Sequence, residues 1–113
     1  LDIEAVHVPA TPVALFHADV TRGRTPLTVQ FTDTSSNDPT SWQWDFDNNG
    51  IVDSTERNPT HVYSSAGTYS VRLLVNNALG SDELIREQYI TALEPGMITA
   101  QPWVYLLLLL KGK

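Results

Sequence analysis

Along residues 13–92 apolar and polar positions alternate in short runs, each closed by proline, glycine, asparagine or aspartate. No stretch of the first 93 residues sustains a 3.6-residue apolar period, so the pattern predicts strands and no helix. The first clear strand covers 13–20, and Arg22-Gly23-Arg24-Thr25-Pro26 reads as the turn that closes it. Residues 27–32 place Leu27, Val29 and Phe31 on one face, and 33–40 form a polar loop. Next, Trp42, Trp44 and Phe46 alternate with Gln43, Asp45 and Asp47. In a strand this sends three aromatics to the core and two carboxylates to the opposite face. Asn49-Gly50 is a hairpin-turn dipeptide. It is followed by a short Ile51-Val52 segment, a turn at Asn58-Pro59, and His61-Val62-Tyr63. The longest β-prone run is 67–75, residues 76–80 turn the chain, and 83–92 returns as a last strand. Short strands at roughly eight- to twelve-residue spacing predict an all-β antiparallel sandwich, with a small barrel as the alternative. Val29, Phe31, Trp44, Phe46, Val71, Leu73 and Val75 are its expected core.

Two flanks fall outside that alternation: an N-terminal arm, 1–12, and a C-terminal tail, 94–113. The expected domain is therefore 13–93, and 113 residues suffice for one core. The chain begins at Leu1 without an initiator methionine, which reads as a mature product or an excised segment. The tail carries eight unbroken apolar residues, 103–110, ending at Lys111. That run is far short of the roughly 20 residues of a membrane-spanning helix, so no transmembrane span is expected. It needs a cover, and the expected cover is a neighbouring copy that it joins at a sheet edge.

Composition narrows the function further. With no cysteine, the fold must rest on its core, on a metal or on neighbours. The formal charge is −6 and the arginines are scattered, which excludes nucleic acid as a partner. There is no G-x-S-x-G elbow and no glycine-rich phosphate loop, and His7, His17 and His61 lack metal-ligand spacing. Asp45 and Asp47 resemble a glycosidase pair only in composition, because a sandwich this small offers no deep cleft. The sequence predicts no enzyme.

The acidic residues are concentrated in one place. Residues 45–56, Asp-Phe-Asp-Asn-Asn-Gly-Ile-Val-Asp-Ser-Thr-Glu, match the calcium-loop pattern D-x-[DN]-x-[DN]-G-x5-E at every specified position. Calcium takes six to eight oxygens, and this spacing supplies them from one turn. Asp45, Asp47, Asn49, Asp53 and Glu56 would offer side-chain oxygens, Ile51 its backbone carbonyl, and Gly50 the sharp turn. The competing reading is a turn whose Asp and Asn side chains cap their own backbone. Carboxylate crowding favours the cation. The aromatics could instead be sugar platforms, but in-phase alternation assigns them to the core. Trp42 and Tyr63, near strand ends, are the two candidate ligand contacts, and Tyr63 is expected to make a corner-type hydrogen bond.

Trp44-Asp-Phe46, then Asn58-Pro-Thr-His-Val-Tyr63, Gly67-Thr-Tyr69, and Val71, Leu73, Val75 and Asn76 resemble the polycystic kidney disease (PKD) domain family over most of the chain. The resemblance implies an immunoglobulin-like β-sandwich in an extracellular or cell-surface protein, acting as a spacer or as a contact for proteins or polysaccharides. The similarity is strongest to archaeal and bacterial surface-protein members. Where the family usually continues Gly-Asp-Gly, this chain reads Asp47-Asn48-Asn49-Gly50 and adds Ile51-Val52-Asp53. Three functions follow as expectations: a calcium-stabilised interaction or spacer module, a polysaccharide-binding accessory of an extracellular hydrolase, and a self-assembling surface or filament subunit.

Overall fold

A computed structural model describes residues 8–95; the expected self-association through 103–110 lies outside the described residues. Seven strands form two sheets: β1 (Phe16–Ala18), β2 (Arg22–Arg24), β3 (Leu27–Asp33), β4 (Ser41–Asp45), β5 (Thr60–Tyr63), β6 (Gly67–Asn77) and β7 (Gly80–Leu93). One sheet has the order β1-β3-β5 and the other β2-β7-β6-β4. The described residues contain no helix, and none is long and apolar enough to cross a membrane.

The period-two pattern explains the two central strands. In β3 the inward positions Leu27, Val29 and Phe31 are buried, and in β6 so are Val71, Leu73 and Val75. Phe16, Trp44, Phe46, Tyr63, Ile90 and Ala92 complete the layer between the sheets. All seven residues named as the expected core are there, while Trp42, which the alternation also sends inward, is half-buried against it. The rings of Phe31 and Phe46 stack at 5.1 Å, and Phe16 meets Trp44 edge-on at 5.1 Å, both favoured aromatic arrangements.

Several elements differ from the sequence expectation. The 13–20 run is not one strand. Only Phe16–Ala18 pairs with β3, with an isolated bridge from Val13 to Ser36. The chain then crosses to the other sheet, where Arg22–Arg24 forms a strand instead of a turn. That strand runs parallel to residues 91–93 of β7, so one pairing in the sandwich is not antiparallel. Gly23 permits the crossing: a Cβ there would lie 2.6 Å from Leu27 Cδ1. In β7 a bulge inserts two extra residues, Tyr69 and Val71 facing Ile90 and Arg86. Gln88 takes a left-handed φ of 49°, and its N–H donates to Ser70 Oγ. The bulge leaves Arg86 and Tyr89 reaching across to β1. The Arg86 guanidinium donates to the Phe16 carbonyl at 2.8 and 3.0 Å, and Tyr89 Oη accepts the Ala18 N–H at 3.0 Å.

The chain enters and leaves the sandwich at opposite poles. Asn77 Nδ2 donates to the Ala10 carbonyl and Asn37 Nδ2 to the Thr11 carbonyl, fixing the entering arm at the β6–β7 turn. At the exit, Thr25 N–H donates to the Leu93 carbonyl, and Ala92 pairs with Gly67 at the start of β6. The length of β6, ten residue steps at ~3.3 Å, separates the two poles by about 33 Å.

Candidate metal centre

The acidic segment is a long loop pinned at its base. Ser54 bridges back to Trp44, where Trp44 N–H donates to the Ser54 carbonyl (2.8 Å) and Asp53 N–H to the Trp44 carbonyl (2.7 Å). Two core aromatics fasten it from below. Trp44 Nε1–H donates to the Glu56 carbonyl at 2.9 Å, and Tyr63 Oη–H to the Phe46 carbonyl at 2.8 Å. The Tyr63 bond is the corner contact expected of it, and Tyr63 is too buried to meet a ligand. Trp42 packs half-buried against the core with the Arg57 guanidinium 5.4 Å over its ring. Neither aromatic offers a free face.

Asn49-Gly50 does not make the two-residue hairpin turn that the dipeptide suggests, and Ile51-Val52 forms no strand. The chain instead curls around Asp45, whose residue exposure is 1%. One carboxylate oxygen accepts the Asn49 N–H (3.1 Å) and the other the Gly50 N–H (2.8 Å). Asn48 (φ 53°) and Gly50 (φ 88°) take left-handed conformations to make that curl, which asparagine and glycine tolerate best. Asp53 returns across the loop and accepts the Phe46 N–H at 2.7 Å.

Oxygens of Asp45, Asp47 and Asp53 thereby come within 4.8 Å of one another. The other three expected ligands sit differently. Asn49 Oδ1 accepts the Ile51 N–H at 2.9 Å, and its Nδ2 donates to Asp47 at 3.4 Å. Ile51 is exposed, and Glu56 has an exposed side chain while its carbonyl holds Trp44. Three carboxylates therefore converge; Asn49 touches two of them through its N–H and its Nδ2, and Glu56 is not among the converging carboxylates.

The two neighbouring carboxyls are displaced in opposite directions. Burial works to raise Asp45, but the Gly50 and Asn49 N–H donors, with hydrogen bonds from the Asp47 side chain and N–H, together outweigh it and hold the carboxyl below its ordinary value. Asp47 is raised, first by desolvation, then by its contact with Asp45 and by the charges of Asp53 and Asp45. A cation would relieve Asp47, which desolvation and two neighbouring carboxylates push upward, and the three carboxylates supply hard oxygens of the kind calcium takes, three of the six to eight it needs.

His61, which lacks metal-ligand spacing, lies in β5. Its ring stacks on Phe46 at 4.3 Å and meets Tyr63 edge-on at 4.5 Å, directly below the loop. Burial lowers its pKa, while Asp53 and Asp47 pull the other way without overcoming it. The unfolded chain therefore takes up this proton first as pH falls below about 6.5. Stability due to His61 is present above that value and is lost as pH drops through the lowered folded value. Urea midpoints in chelator should fall from pH 7.5 to 5.5 in the wild type and stay flatter in His61→Phe, which keeps the stack. Equal slopes would show that His61 is solvated.

A family model for the PKD domain matches residues 8–92. No curated protein matches the chain. Among solved structures, the PKD1 domain of Vibrio cholerae metalloprotease PrtV is 36% identical over 73% of this chain and 99% of that domain, with a TM-score of 0.58. A Methanosarcina mazei protein solved by NMR is 37% identical, covering 85% of this chain and 63% of its own, at a TM-score of 0.57. A structure of carbohydrate-binding modules of the β-sandwich superfamily reaches a TM-score of 0.66 at 24% identity, covering 79% of this chain and 37% of its own, a likeness of fold alone. The match over 8–92 and the seven-strand immunoglobulin-like sandwich agree, and this chain belongs to the PKD domain family.

Proposed function

We propose that this domain is a calcium-stabilised spacer of a cell-surface or secreted protein, holding what precedes and follows it at a fixed separation. PKD domains are β-sandwich modules of extracellular proteins and are in general non-catalytic accessories. The observation that carries the reading is the opposite-pole arrangement of Ala10 and Leu93, each tied to the sandwich by a hydrogen bond. A chain fixed at both poles transmits position through about 33 Å of β6. Calcium would be held by Asp45, Asp47 and Asp53, bracing a loop already fastened to Trp44 and Tyr63.

Other features support a spacer over a catalyst. A depression of about 200 Å³ beside Pro9, Asn37 and Leu79 is open and smaller than the ~300–1,000 Å³ of small-molecule sites. A polysaccharide accessory would need a free aromatic face, and Trp44, Phe46 and Tyr63 are buried while Trp42 lies under Arg57.

The test uses the absence of native cysteine. Dyes placed at Ala10→Cys and Glu94→Cys should report one narrow distance of about 33 Å plus the dye linkers. The distance should persist in calcium and in chelator and vanish only on unfolding. A short distance, or a broad distribution in the folded domain, would overturn the spacer reading.

A further inference from the structure

The sandwich leaves one sheet edge open. Register fixes which backbone groups face it: Asn77 pairs with Gly80 across the two-residue turn, which must be a hydrogen-bonded pair. Hydrogen-bonded pairs then recur at Val75 with Asp82 and Leu73 with Leu84. The intervening residues of β7, Ser81, Glu83 and Ile85, turn their N–H and C=O groups away from β6. Farther along the same edge, beyond the bulge, that side is occupied: Thr91 N–H donates to the Thr21 carbonyl and β2 covers 91–93. At Ser81, Glu83 and Ile85 none of the described residues pairs with these groups, and all three are exposed. The opposite edge of this sheet differs, because the bridge from Ser54 closes β4 at Trp44.

We propose that this edge is a strand-addition site for an extended segment of another protein with a basic–x–apolar–x–basic pattern. Strand addition needs a row of unpaired backbone groups, which the edge supplies. Its side chains set the pattern. Ile85 is 37% exposed and is flanked two residues away on either side by exposed Glu83 and Glu87. Arg72 reaches Glu83 from β6, on the side away from the open edge, and leaves the glutamate side chain exposed toward that edge. An incoming strand has the same two-residue period, so cations would meet the carboxylates and an apolar residue would meet Ile85. A second copy is the wrong occupant. Antiparallel self-pairing centred on Glu83 or on Ile85 sets carboxylate against carboxylate, an arrangement that guards edges against self-association. The site stands apart from the acidic loop and does not depend on the spacer reading.

The probe is the blocked peptide acetyl-Thr-Lys-Thr-Val-Thr-Lys-Thr-amide, added to the full chain with amide exchange followed by NMR. The amides of Ser81, Glu83 and Ile85 should become slower to exchange. Replacing both lysines of the peptide with glutamate should weaken binding roughly tenfold, the worth of two cross-strand charge pairs. Glu83→Lys combined with Glu87→Lys should invert that preference. Glu83→Pro, which removes an outward N–H and no backbone bond to β6, should abolish binding, and Glu83→Ala, which gives up the same Arg72 ion pair but keeps the N–H, should share its urea midpoint and still bind. Equal binding of both peptides, protection elsewhere, no binding at millimolar peptide, or pairing of two copies through this edge would each overturn the proposal.

Discussion

Trp44→Ala should cost about 3–5 kcal/mol, most of the stability of a domain this size. Trp44 is fully buried, in ring contact with Phe16 (5.1 Å), Phe31 (5.4 Å) and Phe46 (6.0 Å). Alanine would open a cavity among three rings that come from β1, β3 and the loop after β4 and cannot all collapse into it. It would also strip the Glu56 carbonyl of its Nε1–H donor, so the base of the acidic loop loosens together with the core. Trp44→Phe separates the two effects: it keeps most of the ring and loses the hydrogen bond, at about 1–2 kcal/mol. Urea denaturation followed by circular dichroism measures both. No disulfide supplements the core, so the alanine variant should lie at the edge of folding. A loss below about 1 kcal/mol would mean that Trp44 is not the centre of the packing.

What the sequence made legible follows from where burial is one-sided. In β3 and β6 one face is sealed by the opposite sheet, so Leu27, Val29, Phe31, Val71, Leu73 and Val75 alternate with outward residues that are polar except Leu74. The 13–20 run misleads because Val13, Leu15 and Val20 are apolar yet exposed, at 54%, 46% and 39%. Strand β2 was hidden for the opposite reason. It is held by backbone bonds to β7 at a sheet edge, so Arg22 and Arg24 carry no burial signal and Gly23 imitates a turn. The bulge at Gln88 breaks the period of β7 without any glycine to mark it. At the site, spacing identified the acids, because a metal-loop pattern concerns which oxygens one turn can deliver. The competing reading, a turn capped by its own side chains, covers what Asp45 does for Asn49 and Gly50 and Asn49 for Ile51, but nothing in the sequence revealed that His61 would lie beneath the cluster, which depends on how the loop curls over Phe46.

Asp45→Ala and Asp47→Ala should part company when calcium is varied. With calcium at 2 mM and a dissociation constant of about 0.1 mM, mass action adds about 1.8 kcal/mol to the wild type, or several degrees in melting temperature. Asp47 is exposed and its carboxylate accepts no backbone N–H but its own, so Asp47→Ala should unfold in chelator at the wild-type midpoint or slightly above it. The sign follows from its raised pKa: an ionised carboxylate crowded by Asp45 and Asp53 costs stability when no cation is present. The calcium increment should disappear in this variant. Asp45→Ala removes the acceptor of two part-buried N–H groups and should lose about 2–4 kcal/mol with or without calcium. As pH falls, the Asp45 contribution, present above its unfolded value near 3.9, is lost through its lowered folded value. The calcium increment should fade earlier, because a proton competes first for Asp47. Thermal unfolding of the three proteins in calcium and in chelator, between pH 7.5 and 4.5, reads all of this. Identical wild-type midpoints in calcium and chelator would leave Asp45 as a turn cap and Asp47 as a solvated neighbour, and calcium would have no part in the domain.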